Sequence, residues 1–209
     1  MFNLLIRKVT DFTHTIFLFM IMLSLSLFAL DNHYEQEVVL TIIWICTAFT
    51  LQISTSYLFA SDYHDGVLEQ IFIQPRSSRL AVFYKIFFHW LLLGIPISAI
   101  ACIFSITVLD YNIKYVITMG LSLLFNILII INISATGHSL MLGKSNLAAT
   151  TSQILILPML MPTFVYFKLL TSTELNINIL LITALIFITL IANSLLATHT
   201  ALKFAIEQD

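Results

Sequence analysis

Charge is scarce in this 209-residue chain: Asp, Glu, Lys and Arg together make up 10% of it. Soluble domains carry about 25% charged residues and about 45–50% apolar ones, whereas the apolar share here is 59%. A water-soluble globule of this composition would leave too much apolar surface wet, which excludes an ordinary cytosolic enzyme. A disordered chain is excluded for the opposite reason, since disorder needs low hydrophobicity. Cysteine is almost absent, and both Cys46 and Cys102 lie inside apolar runs. That excludes a secreted disulfide scaffold and a cysteine metal pair. Five glycines and four prolines leave little room for linkers or phosphate-cradling loops. Nine basic residues against eleven acidic ones give a net charge of −2, so there is no basic footprint for nucleic acid. The remaining class is an all-α integral membrane protein.

What is present is a set of long stretches without any Asp, Glu, Lys or Arg: Phe12–Leu30, Val38–Ser61, Ile86–Leu109, Tyr115–Gly143, Ser145–Phe167 and Leu175–Leu202. A helix rising about 1.5 Å per residue crosses a roughly 30 Å hydrocarbon core in about 20 residues. A charge at mid-bilayer costs about 2.5–3.5 kcal/mol on insertion scales, so lipid selects such runs. They predict six spans, over about 12–30, 38–60, 86–109, 116–138, 146–167 and 177–200. The alternating pattern of a membrane β-barrel is not seen. Arg7, Lys8, Arg76, Arg79, Lys85, Lys144 and Lys203 fall on one side of this topology, and Lys114 and Lys168 on the other. The positive-inside rule then places both termini on the cytoplasmic side, or the matrix side in a mitochondrion. The first span is longer than a signal-peptide core, and Leu27-Phe28-Ala29 offers no small-x-small cleavage site, so it is expected to be retained.

Two segments are not spans. In residues 1–12, Phe2, Leu5, Ile6, Val9 and Phe12 recur at helical spacing, with Arg7, Lys8 and Asp11 opposite. The pattern fits an interfacial helix lying on lipid headgroups, and also a plain flank of the first span. The second segment is the loop 61–79, within which Asp62 to Pro75 reads as a short helix. Asp62 is suited to cap it, Asp65 adds acid to its first turn, and Pro75 ends it. Val67, Leu68, Ile71 and Phe72 form its apolar face, with Asp62, Gly66 and Glu69 on the other. Three acids within eight residues suit an anionic leaflet poorly and a basic protein surface better.

The stretch Asp62-x-x-Asp65-Gly66-x-Leu68-Glu69-Gln70-Ile71 ending at Pro75 resembles an element of the haem exporter protein B family. That family is the membrane permease subunit of the cytochrome c maturation ABC transporter. Lys85-x-x-x-His89-Trp90, Gly94-x-Pro96 and Leu157-Pro158-x-x-x-Pro162 follow in the same order. The resemblance covers essentially the whole chain. It implies an ABC exporter type permease in the bacterial inner membrane, or the mitochondrial one. The N-terminal interfacial helix would then be an elbow helix, and Asp62, Asp65, Gly66, Leu68, Glu69, Gln70 and Pro75 would form a coupling helix that docks on a separate cytoplasmic ABC ATPase. The resemblance implies that ATP hydrolysed by the partner drives haem handling or export, or release of the haem-loaded chaperone, with haem a possible cargo and no cofactor bound by this chain itself. Further implied partners are a companion haem-handling membrane subunit, a periplasmic haem chaperone and a second copy of the chain.

Other patterns carry less. His138 to Ser145 falls one glycine short of a phosphate loop and has no strand before it, so Gly143 and Lys144 read as a turn. No Cys-x-x-Cys-His haem attachment motif is present. His33 and His89 are the histidines least unsuited to a haem ligand. Pro96, Pro158 and Pro162 should bend their spans, as a packing shape or as a hinge, with Gly94 favouring a hinge in span three. Thr189, Asn193, Ala197 and Thr200 share one face of span six, and Ser122 and Asn126 one face of span four. Small and amide residues of this kind allow close helix packing, or line a path. No charge lies deep in a span, which disfavours ion-coupled transport. The chain has no nucleophile or acid pair and is expected to be no enzyme by itself. An ABC permease for another hydrophobic cargo, and a non-transporting membrane scaffold, remain the alternative readings.

Overall fold

The computed structural model describes residues 2–28, 35–73, 75–107, 109–143, 146–172 and 194–206, with positions 188 and 192. Helix α1 spans Phe2–Phe28, α2 Gln36–His64, α3 Val67–Phe72, α4 Pro75–Thr107, α5 Ile113–Ser139 and α6 Asn146–Ser172. A further helical stretch, α7, covers residues 194–206, and the described residues contain no strand. Among the described residues, three stretches are long and apolar enough to cross a bilayer: Gln36–His64, Ser78–Thr107 and Ile113–Ser139. Shorter apolar stretches, Phe12–Ser26 and Ile156–Thr171, lie within α1 and α6. Most of the sixth expected span, 177–200, lies outside the described residues.

Local chemistry sets the helix ends. Asn112 caps α5, its side-chain Oδ1 accepting from the Lys114 N–H at 3.1 Å. Glu35 starts α2 from an extended conformation, its carbonyl accepting from Val38 and Val39. Helix α1 runs unbroken through residue 12, where a separate elbow and a first span were expected to meet. The segment 2–28 holds neither glycine nor proline, so nothing interrupts its backbone ladder. The side chains of residues 2–11, with the expected amphipathic face, lie outside the described residues. Helix α4 begins at Pro75, roughly three turns before the expected span. Proline is tolerated at a first helical position, and no breaker follows until Pro96.

Helix α5 is the hub, packing against α2, α4 and α6, while α1 packs against α2 and α4. Met119, Leu123, Ile127 and Ile130 of α5 are wholly buried against Ile43 and Leu51 of α2, Leu93 and Ile97 of α4 and Leu160 of α6 in one apolar core. Lipid offers polar groups no partner, so each must be satisfied inside the protein. The hydroxyls of Thr47, Thr55 and Ser105 donate to carbonyls one turn back, at 2.6–2.8 Å. Other bonds cross between helices. Trp44 Nε1 donates to Thr163 Oγ1 at 3.2 Å, Asn126 Nδ2 to the Thr163 carbonyl at 2.6 Å, and Trp90 Nε1 to the Leu124 carbonyl at 3.0 Å. Both cysteines are free.

The expected polar face of α7 needs correcting. Thr200 is exposed and bonds only to carbonyls of its own helix. The packed polar residues are Ser194 and Thr198: Ser194 Oγ donates to Asn132 Oδ1 at 3.1 Å, and Thr198 Oγ1 lies 2.8 Å from Thr136 Oγ1. Thr198 and Thr200 are two residues apart and so stand far apart around a helix of 3.6 residues per turn. Thr189 and Asn193 lie outside the described residues.

Candidate functional site

The hairpin between α2 and α4 differs from the expected single helix over Asp62–Pro75. Helix α2 continues through His64, and Asp62 sits in its last turn rather than capping a new helix. The chain then turns at Gly66, which has φ 69° and is the N-cap of α3. That left-handed conformation is open to glycine at no steric cost. Helix α3 is therefore only six residues long, Val67–Phe72, with no side-chain cap. Pro75 opens α4 instead of closing α3. A helix of this length is marginal alone, so its packing must hold it.

Leu68 supplies that packing, at 2% exposure, with Ile71 and Phe72 half-buried beside it. Val67, assigned by the sequence to the same apolar face, is largely exposed, as are Asp65, Glu69 and Gln70. One acid and one amide of the anchored short helix, Glu69 and Gln70, are thus exposed, with Asp65 exposed in the turn before it. Glu69 also sits in the first turn of α3, where a carboxylate complements the helix dipole.

Fixed contacts brace the base of the hairpin. Asp62 forms an ion pair with Lys85, joining the last turn of α2 to α4. The Lys85 ammonium also stands 5.2 Å from the centre of the Phe59 ring. Gly143 ends the α5–α6 turn with φ 74°, and a Cβ there would come within 2.6 Å of the Tyr63 hydroxyl. Phe72 stacks on His199 of α7 at 5.0 Å and 25°. The α2–α4 hairpin, the α5–α6 turn and α7 therefore meet at one end of the bundle.

The remaining candidates fall elsewhere. His89 is buried in α4, its Nε2 3.4 Å from Ser54 Oγ and its ring 5.9 Å from that of Phe12. It is enclosed between α1, α2 and α4. His33 lies outside the described residues. Gly94 and Pro96 lie within α4, and Pro158 and Pro162 within α6, both helices continuing through them. A Cβ at Gly94 would approach the Trp90 indole to 3.2 Å, so this glycine makes room for the tryptophan that bonds to α5. A cavity of 140 Å³ between α1 and α2 is lined by residues including His14, Thr50, Ser54 and Tyr57. It is smaller than the about 300–1,000 Å³ of ordinary small-molecule sites. No cluster of three or more metal-ligating side chains exists among the described residues. Sequence reading missed Tyr63, Ser78 and His199, whose roles come from contacts distant in the chain.

Long apolar helices joined through one short helix with an exposed polar face are those of a helical multi-pass membrane protein. A family model described as CcmB protein matches residues 2–208, and the chain belongs to that family. It is 25% identical over 165 residues to Heme exporter protein B of Pseudomonas aeruginosa, covering 78% of this chain and 73% of the relative. Identity is 24% over 163 residues to Heme exporter protein B of Haemophilus influenzae, covering 77% and 72%. The protein of the same name from Escherichia coli K12 is 27% identical over 84 residues, 38% of each chain.

Proposed function

We propose that the chain is the membrane subunit of an ATP-driven complex that handles haem during c-type cytochrome assembly. It would cross the inner membrane six times, with both termini on the cytoplasmic side and the basic N-terminal turns of α1 at headgroup level. Family membership and relatives named Heme exporter protein B support haem as cargo. The observation that carries the mechanism is α3 with the turn before it: Leu68 anchors the helix inward while its Glu69 and Gln70, and Asp65 of the turn, are exposed. An acidic outer face fits a basic groove on a separate ATPase. Closure of that ATPase on nucleotide would push α3 as a rigid body, and α2 and α4 would carry the displacement.

In this reading Asp62 and Lys85 keep α2 and α4 moving together. Gly66 and Pro75 set the corners of the hairpin. The prolines of α4 and α6 are the places where a bundle of rods can bend, with Gly94 beside Pro96. One six-span chain is half of an ordinary ABC permease, so a second copy completes the pathway. A companion membrane subunit and a periplasmic chaperone would receive haem.

The test is purification in mild detergent, with identification of partners and a haem absorbance scan. An ABC ATPase should co-purify. Glu69→Lys should lower its retention by roughly tenfold while membrane insertion stays intact. Purified complexes lacking an ATPase, or Glu69→Lys with undiminished ATPase and coupled activity, would overturn the reading.

A further inference from the structure

Helix α3 has an attachment that the ion pair and the α2–α4 corners do not explain. His199 of α7 stacks on Phe72, with ring centroids 5.0 Å apart and planes 25° apart. The same imidazole places Nε2 3.0 Å from Ser78 Oγ, and Ser78 is 1% exposed in the first turns of α4. One side chain from the far end of the sequence thus touches both the short helix and the rod that follows it. The two contacts use different parts of the ring, its face and its edge, so together they fix its orientation.

Helix α7 is in turn fastened to the hub of the bundle. Thr198, adjacent to His199, lies 2.8 Å from Thr136 through its hydroxyl, and Ser194 donates to Asn132 at 3.1 Å. Thr136 and Asn132 both belong to α5. Leu202, one turn below Thr198, is wholly buried in the apolar core. A shift of α3 therefore has a continuous route of packed and hydrogen-bonded groups: Phe72 to His199, then Thr198 to Thr136.

We propose that His199 is a positioning residue that transmits displacement of α3 to α7, and through α7 to α5. This rests on the reading of α3 as the ATPase docking element. It adds a third mover to α2 and α4, and it gives the C-terminal helix a task in the cycle. A ring clamped on two sides passes on a push, whereas a flexible side chain would absorb it. Alanine at this position removes both contacts, phenylalanine keeps the stack and drops the hydrogen bond, and Ser78→Ala drops the hydrogen bond alone.

The experiment uses the complex with its ATPase, on a background in which Cys46 and Cys102 are replaced by alanine. Spin-label pairs are placed at exposed positions: Tyr57→Cys with Phe204→Cys reports α7 against α2, and Tyr57→Cys with Ile73→Cys reports the end of α3. Distance distributions are recorded with and without a non-hydrolysable ATP analogue. In the otherwise native complex both pairs should shift. In His199→Ala the Ile73 pair should still shift, while the population shift of the Phe204 pair should fall by roughly 3- to 10-fold. His199→Phe and Ser78→Ala should lie between. An undiminished Phe204 shift in His199→Ala and in His199→Phe, with assembly and melting temperature unchanged, would overturn the proposal while leaving the docking reading intact. A silent Ile73 pair in the native complex would instead overturn the docking reading and this proposal with it.

Discussion

Gly66 shows what a single residue does at the α2–α3 corner. Its φ of 69° lies in the left-handed region, and a Cβ built there would meet nothing within 4 Å. The demand for glycine is therefore one of backbone conformation, not of space. A left-handed residue other than glycine costs about 1–2 kcal/mol, and asparagine tolerates the region best. Gly66→Val should lower the stability of the hairpin by about that amount and reduce ATPase retention. Gly66→Asn should stay close to the parent protein. Thermal unfolding in detergent and co-purification, measured side by side, check both. Equal loss in the two variants would mean that a side chain is being excluded by a partner surface. Nothing in hydropathy distinguishes this glycine from a merely small residue on a helix face, which is how the sequence alone places it. Gly143 is similar, since its contact with Tyr63 joins two turns far apart in the chain.

At the scale of elements, α3 stands between two rods whose ends are tied by Asp62 and Lys85. These side chains remain 20% and 23% exposed. Mostly buried, the two charges give up hydration that their attraction only partly repays, so the net contribution of the pair to stability is small. Its larger effect is geometric, holding the last turn of α2 beside α4. Asp62→Asn should therefore shift the melting temperature little while weakening nucleotide-driven motion of α3. The exchanged pair Asp62→Lys with Lys85→Asp should restore that motion, and spin-label distances at Ile73 measure it. The helices themselves were legible because charge-free runs of sufficient length have few other uses. Their ends were not. Helix α4 starts at Pro75 because proline suits a first turn and nothing downstream ends the ladder, although Arg79 and Lys85 broke the apolar run there. The sequence pattern puts Thr200 on the packed face of α7, where the structure has Ser194 and Thr198. Hydropathy treats these hydroxyls alike, and only the position of α5 selects between them.

For the whole molecule the decisive quantity is which end of the bundle faces which compartment. The α2–α4 hairpin, the α5–α6 turn and His199 gather at one end. Seven of the nine basic residues are assigned to that side by the run of spans, with Lys114 and Lys168 assigned to the other. Lysine and arginine resist translocation, so the hairpin end should be cytoplasmic. There it can meet a nucleotide-hydrolysing partner, and the opposite end cannot. Lys168 pairs with Glu37 at 2.7 Å, joining α2 to α6. The two side chains are 44% and 69% exposed, so this bond should be weak and salt-sensitive. Orientation then rests on charge distribution rather than on that bridge. With Cys46 and Cys102 replaced by alanine, Glu69→Cys should react with a membrane-impermeant maleimide only in inverted vesicles. Lys114→Cys should react only in intact cells stripped of their outer layer. Both positions are exposed, so burial does not limit labelling. Labelling of Glu69→Cys from outside would put α3 beyond the reach of any cytoplasmic ATPase, because a six-residue helix between two buried rods has no route across the bilayer. The same result would make Glu69 of α3, with Asp65 before it, a binding face for a partner in the outer compartment instead.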